Sequence, residues 1–493
     1  MIVLLLFLIP LIGGLVAFFL KEDRLVRGWS LLVSLAALAV AIAGSTGNEA
    51  SPGLQFSASW MGSLGSSFSL RLDGMSRMLC LLTGVANPLI LIATWKTAYR
   101  KPNNFFALML LTQAGLMGVF TATDALLFYF FWELALIPVY FLCSGWGGDR
   151  RISVTFKFFI YTFTASVIML IGLLYLYFQT PDRSFSLESF YALKMANKTQ
   201  SWVFWLLFVA FAVKMPVFPF HTWQPDTYEQ SPTGATMVLS GVMVKMGLFG
   251  LIRWVWPIVP AAVHIWGDVV MTLAVVGVLY ASVIALQQND LKRLVAYSSI
   301  AHVGLMVMAV FAENKIGLQG VMMQMFNHGI NIIGLWIVVE LIERQFGTRK
   351  LSELGGLAQK APALATLLVI VALGNVALPL TNAFVGEFLI FNGIWNALSD
   401  HKVIFTVAAI ISIILSAAYT LNMIQKVFFG NTNNLTEKGH DIRLNEKLAL
   451  GIIVVVIVAF GVYPQPLLNL TENFTDGLID GIIRKANVAY LTH

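Results

Sequence analysis

Charge is scarce in this sequence. Asp, Glu, Lys and Arg make up 11% of its 493 residues, where a soluble domain carries about 25%. That scarcity excludes a soluble globular protein. Cysteine is almost missing: Cys80 and Cys143 both lie in apolar runs, so neither a disulfide framework nor a cysteine-bound metal cluster is expected. There is no Gly-rich nucleotide loop and no pair of histidines at i, i+4 on one helix, which removes the usual nucleotide and haem signatures. Long polar stretches are missing too. The longest, 46–74, 179–200, 343–361 and 430–446, read as loops too short to be domains. The pI near 9.2 therefore has no soluble basic domain with which to bind nucleic acid. The first residues, MIVLLLFLIPLIGGLVAFFL, lack a basic n-region and a small-residue cleavage site, so they are expected to stay as a first helix.

What is present is apolar. Hydrophobic residues make up 58% of the chain and the mean hydropathy is +0.80. A window of about 20 apolar residues gives fourteen spans: 1–20, 28–45, 75–96, 103–122, 125–143, 153–178, 201–223, 233–256, 262–287, 294–312, 316–342, 362–395, 402–429 and 447–466. The expected fold is a single all-α polytopic membrane domain, with the tail 467–493 outside the bilayer and no long C-terminal arm. Loops after odd-numbered spans hold 18 lysines and arginines, and those after even-numbered spans together with the tail hold 10. The positive-inside rule then puts the odd loops in the cytoplasm and both termini outside.

Residues 201–256 organise the rest. Two apolar runs joined by a short polar loop each carry one lysine, Lys214 and Lys245. A lysine at the centre of a membrane helix costs roughly 2.5–3.5 kcal/mol on the insertion scale. Pro216 and Pro219 follow Lys214 and should break span 7, since each removes a backbone donor. Span 12 is expected to break around Pro379, between Asn375 and Asn382. The two interrupted spans lie five apart, so spans 4–8 and 9–13 read as two inverted five-helix repeats, each with a broken helix. The chain then divides into three N-terminal helices (1–100), a first repeat (101–258), a second repeat (259–430), and a last helix with its tail (431–493).

Six ionisable residues fall within apolar spans: Glu133, Lys214, Lys245, His302, His328 and Glu387. Each alone has a structural reading, as an ion pair, an interhelical hydrogen bond or a snorkelling side chain. Snorkelling is the expectation for Lys157, near the start of span 6. Together the six make a candidate proton wire, because intramembrane charge is functional by default. A Glu133–Lys214 pair is expected to hold and release a proton. Lys245, His302 and His328 are expected to form a hydrated central line, with Glu387 as the terminal donor or acceptor toward the outer side. His302 and His328 are far apart in sequence, and no metal site is expected.

At these residues the chain resembles the antiporter-like subunits of respiratory complex I, the NADH–quinone oxidoreductases, and within them the subunit M group, counterpart of chain 4 of the mitochondrial complex. FFWELALIPVYFL carries Glu133. VKMPVFPFHTWQPDTYEQSPTGATMVLSGVMVKMGLFGL carries Lys214, His221, Trp223, Pro225, Asp226 and Lys245. QNDLKRLVAYSSIAHVG carries Lys292 and His302, FNHG carries His328, and NAFVGEFLIF carries Glu387. One departure is visible: Tyr228 in PDTY stands where the family usually has histidine. The resemblance implies a proton-translocating membrane-arm subunit of an NADH:quinone oxidoreductase in the bacterial inner membrane. His221, Asp226 and Lys292 would support the six residues, as would the break residues Pro216 and Pro379. It also implies that NADH, FMN, iron–sulfur clusters and quinone are used by other subunits, with no cofactor on this chain, and that the partners are neighbouring antiporter-like subunits. The alternative is a subunit of a multisubunit cation/proton antiporter, which shares ancestry and buried residues. A purely structural membrane scaffold is the third reading.

Overall fold

The computed structural model describes residues 1–47 and 51–491. All fourteen expected spans are helical. Numbered in order, they are Ile2–Ala17, Asp23–Thr46, Gly74–Ala93, Pro102–Thr121, Ala125–Trp146, Arg151–Gln179, Asn197–Lys214, Thr233–Val255, Pro260–Gln287, Leu291–Val310, Lys315–Phe346, the pair Pro362–Asn375 and Asn382–Trp395, Lys402–Phe428 and Leu444–Val462. Eleven of these, among the described residues, are long and apolar enough to cross a bilayer unaided. The exceptions are span 1, with 16 residues, span 7, which stops at Lys214, and span 12, which is two halves of 14 residues each.

Both interruptions have a local cause. Pro216 has no N–H, so the carbonyl of Ala212 takes the N–H of Val217 instead (2.9 Å), and the helix cannot continue. In span 12, residues 376–381 separate the halves, and Ala377 and Leu380 adopt positive φ (57° and 73°). The break falls between Asn375 and Asn382, as expected from Pro379.

Spans are layered by polarity. The most apolar windows of spans 8 and 11 are fully buried, whereas that of span 14 is only 28% buried. Spans 3, 4 and 10 also lie inside, and spans 2, 6, 9 and 13 are more peripheral. The spans that carry Lys245, His302 and His328 are therefore the ones screened from lipid, as buried charge demands. Spans 8 and 11 approach closely because both carry glycine at the crossing: a Cβ on Gly329 would lie 2.8 Å from the carbonyl oxygen of Gly241. Small residues that let backbones meet are the usual device of packed membrane helices.

Two expectations need correction. The stretch 46–74 is not only a loop: strands Gln55–Met61 and Ser66–Arg71 pair as an antiparallel hairpin set into the helical fold. The tail is likewise more than an extramembrane end. It forms the helix Gln465–Leu491, which packs against spans 3 and 11. Gly74, at the start of span 3, admits this helix so closely that a Cβ there would lie 2.4 Å from the carbonyl oxygen of Leu470.

Candidate functional site

Span 8 is not a continuous α-helix. Residues Leu239–Met243 and Leu251–Val255 are π-helical, a form that recurs at functional sites. In the first of these turns the N–H of Val244 bonds the carbonyl of Leu239, five residues back (3.1 Å). A regular α-turn would have sent it to the carbonyl of Ser240. That carbonyl instead accepts from Lys245 Nζ (2.8 Å). The same ammonium lies 2.8 Å from His328 Nδ1 of span 11. Lys245 is fully buried and His328 nearly so.

The contacts continue in one direction. The rings of His328 and His302 have centroids 5.7 Å apart. Distance in sequence was no guide here, because spans 10 and 11 pack side by side. His302 Nδ1 lies 3.2 Å from Glu387 Oε1, and Gln324 Nε2 donates to the same oxygen (3.2 Å). Lys245, His328, His302 and Glu387 thus form one row through spans 8, 11, 10 and 12. Nε2 of both histidines has no protein partner.

The other end of the expected wire differs. Lys214 is buried, its Nζ has no hydrogen-bond partner, and it lies 5.6 Å from the ring centre of Trp132. The expected Glu133–Lys214 ion pair does not form. Glu133 is only half-buried, and its Oε1 has no hydrogen-bond partner. The break at Pro216 ends the helix at Lys214, and an ammonium at a helix C-terminus is favoured by the free carbonyls there.

The supporting residues separate into two kinds. His221 is buried between Phe218 and Tyr280, with Nδ1 unpartnered. Asp226 instead belongs to an ion-pair latch at one membrane face. It accepts from Lys157 Nζ (2.9 Å) and Arg293 (3.2 Å), so Lys157 is ion-paired, with its side chain still 38% exposed. Lys292 pairs with Glu343 (2.8 Å). Burial pushes the Asp226 and Glu229 carboxyls up, but bonds from Lys157 and Arg293, and the charges of Arg349 and Arg150 at Glu229, outweigh it. Both are held below the usual carboxylate range.

Several polar residues here were not anticipated. Asn331 Nδ2 of span 11 donates to the carbonyl of Gly374 and to Asn382 Oδ1 (both 3.0 Å), and Asn327 Nδ2 donates to the carbonyl of Asn382 (2.8 Å). These amides hold the broken ends of span 12. Ser298 of span 10 bonds Tyr419 of span 13 (2.9 Å). Gln324, His328 and Asn331 recur at helical spacing, and that polar stripe on an apolar span was a readable signal.

A fourteen-span membrane fold with two interrupted spans and a buried row of lysine, histidine and glutamate defines an ion-translocating membrane subunit. Residues 122–416 match the family described as "NADH:quinone oxidoreductase/Mrp antiporter, TM", and the chain belongs to that family. Similar relatives include F(420)H(2) dehydrogenase subunit M of Methanosarcina mazei, 33% identical over 96% of this chain and 97% of the relative. NADH-quinone oxidoreductase subunit M of Pseudomonas aeruginosa is 34% identical over 96% of each. A chain in the structure of respiratory complex I from Thermus thermophilus with bound NADH superposes with a TM-score of 0.89 at 28% identity, covering 97% of this chain and 100% of that one.

Proposed function

We propose that this chain is a proton-translocating membrane-arm subunit of an NADH:quinone oxidoreductase of the complex I type. The single observation that carries this reading is the connected row Lys245–His328–His302–Glu387. A proton held on Lys245 can pass to His328 Nδ1, cross a bridging water to His302, and reach Glu387 through the 3.2 Å contact. Lys214 and Glu133 form a second, unconnected store. Spans 4–8 and 9–13 would be the two inverted halves, each contributing one interrupted helix to the path.

On this reading the chain carries no redox chemistry. NADH, FMN, iron–sulfur clusters and quinone belong to other subunits, and neighbouring antiporter-like subunits are its partners in a bacterial inner membrane, with both termini on the outer side. The relatives' names include both an NADH-quinone and an F(420)H(2) enzyme.

Glu387 tests the reading. In vesicles holding the intact complex, Glu387→Asp should keep substantial pumping, because a titratable carboxylate remains. Glu387→Gln should lose most of it with assembly unchanged. Normal pumping by the glutamine variant would remove Glu387 from the path. The alternative, a subunit of a cation/proton antiporter, is separated by purification: NADH dehydrogenase activity that co-purifies with the chain supports the first reading. Cation/proton exchange without such activity supports the second.

A further inference from the structure

The second irregular turn of span 8 is built around a buried arginine. In Leu251–Val255 the N–H of Trp256 bonds the carbonyl of Leu251, five residues back (3.1 Å). Arg253 sits inside this turn and is only 5% exposed. Its guanidinium grips Asp73, the residue that caps span 3, by two parallel contacts. Nη1 lies 2.6 Å from Oδ2, and Nη2 donates to Oδ1 (2.7 Å), a fork geometry that lysine cannot reproduce. Nη2 also lies 3.3 Å from the Ser76 hydroxyl. Two rings flank the guanidinium, Phe249 at 5.3 Å and Phe474 of the tail helix at 4.9 Å. The backbone carbonyl of Arg253 accepts from the Tyr191 hydroxyl (2.7 Å). π-turns are rare, and this one is held at its centre by three other segments of the chain.

What those contacts fix is Lys245–Gly250, the α-helical segment between the two π-turns. At 1.5 Å per residue it is about 9 Å long, so the hold on each end decides its direction. The inner end carries Lys245, bonded to the Ser240 carbonyl and to His328 Nδ1. The outer end carries Phe249, one turn before Arg253 and packed on its guanidinium. One flank of the segment is glycine. A Cβ on Gly247 would lie 2.7 Å from the carbonyl oxygen of Phe211, and one on Gly250 would lie 2.3 Å from the Phe211 ring. Small residues permit such an approach, and no larger side chain could be turned into that flank. The flank meets the last turn of span 7, which ends at Lys214. The segment is therefore wedged between the two buried lysines, and it fits there in one orientation.

We propose that Arg253, locked to Asp73, is a positioning residue for Lys245. It holds the outer π-turn and Phe249 so that the segment between the turns keeps the Lys245 ammonium on His328. Arg253 follows Lys245 by eight residues, about 12 Å along a helix, and acts through the segment alone. The inference rests on the proton-translocating reading for what Lys245 does, but not for where Lys245 points.

The intact complex tests this by two measurements, a structure of each variant and its pumping rate in sealed vesicles. Arg253→Gln removes the charge and the fork. The separation of Lys245 Nζ from His328 Nδ1 should open from 2.8 Å to beyond about 3.5 Å, outside hydrogen-bond reach. Pumping should fall about tenfold, the scale of a lost proton-transfer group. Arg253→Lys keeps the charge without the fork and should lie between wild type and Arg253→Gln on both measurements. Asp73→Asn keeps a good cap for span 3 and loses only the charge, so it serves if the glutamine variant does not assemble. It should show the same opening with a smaller loss of pumping. A Lys245–His328 bond that stays intact in the assembled variant overturns the proposal, whatever the pumping rate. Wild-type pumping by Arg253→Gln, where Lys245→Met stops, overturns it too. If Lys245→Met itself pumps normally, the proton-translocating reading fails, and the measured separation still decides whether Arg253 aims Lys245.

Discussion

Lys214 and Lys245 look alike in the sequence, each a lone lysine in an apolar run of neighbouring spans, yet the structure accommodates them in opposite ways. Lys245 is bonded to a backbone carbonyl and to an imidazole. Lys214 has no bonded partner and a tryptophan ring at 5.6 Å. The backbone explains the difference. A π-turn frees the Ser240 carbonyl for Lys245, whereas the proline break leaves Lys214 at a helix end with its neighbours' side chains turned elsewhere. An ammonium held by fixed partners has a defined next acceptor. One without partners has none, so on the proposed reading the first acts as a relay and the second as a separate store.

The comparison can be broken by substitution. The largest effect is expected for Lys245→Met, which removes the first member of the connected row. Pumping by the assembled complex should fall by about tenfold or more, the scale on which proton-transfer groups act. Because His328 Nδ1 then loses its partner, thermal stability should also drop. Lys214→Met should reduce pumping strongly too, but without lowering the melting temperature, since an unsatisfied buried group costs about 1–3 kcal/mol that methionine does not incur. Equal destabilisation by both variants would show that the two lysines are not held differently.

Asp226→Asn should have the smallest effect. The latch around Asp226 is partly exposed to solvent, so its loss should cost about 1 kcal/mol or less, read as a small drop in melting temperature with pumping kept. The sign with pH follows from the lowered carboxyls of Asp226 and Glu229. A carboxylate with a depressed folded-state pKa stabilises the fold above its unfolded value, about 4, and that contribution disappears as pH falls through the folded value. Acidification below about pH 4 should therefore erase the difference between Asp226→Asn and wild type, while between pH 5 and 9 it should stay constant. A latch that weakened near neutrality would have to be reassigned to the proton path.

Much of this was legible in the primary structure because burial of charge in lipid is so costly that few patterns survive it. Fourteen apolar runs, two proline interruptions and six intramembrane ionisable residues all follow from that cost. What pairs with what was not legible. His302 and His328 lie in different spans, and only helix packing brings their rings within 5.7 Å. Glu133 and Lys214 sit in spans 5 and 7 of one half and seemed natural partners, but their side chains do not meet. The ion pair of Lys157 was not foreseen, because single-span reasoning cannot see Asp226 approaching from another segment. The hairpin between spans 2 and 3 escaped because strand alternation over six or seven residues is faint beside twenty-residue runs.

The two π-turns of span 8 bear on how this helix tolerates change in length. A π-turn carries one residue more than the α-turn it replaces, and one residue is worth about 100° of rotation about the helix axis. Leu239–Met243 and Leu251–Val255 bracket the six-residue segment Lys245–Gly250. The direction in which Lys245 points is thus phased independently of the rest of the span. Closing the first turn to a regular helix with its residues kept would turn Lys245 by about 100° away from His328, with its chemistry and its depth in the bilayer almost unchanged. Aim, and not the mere presence of an ammonium, is what the π-turn encodes.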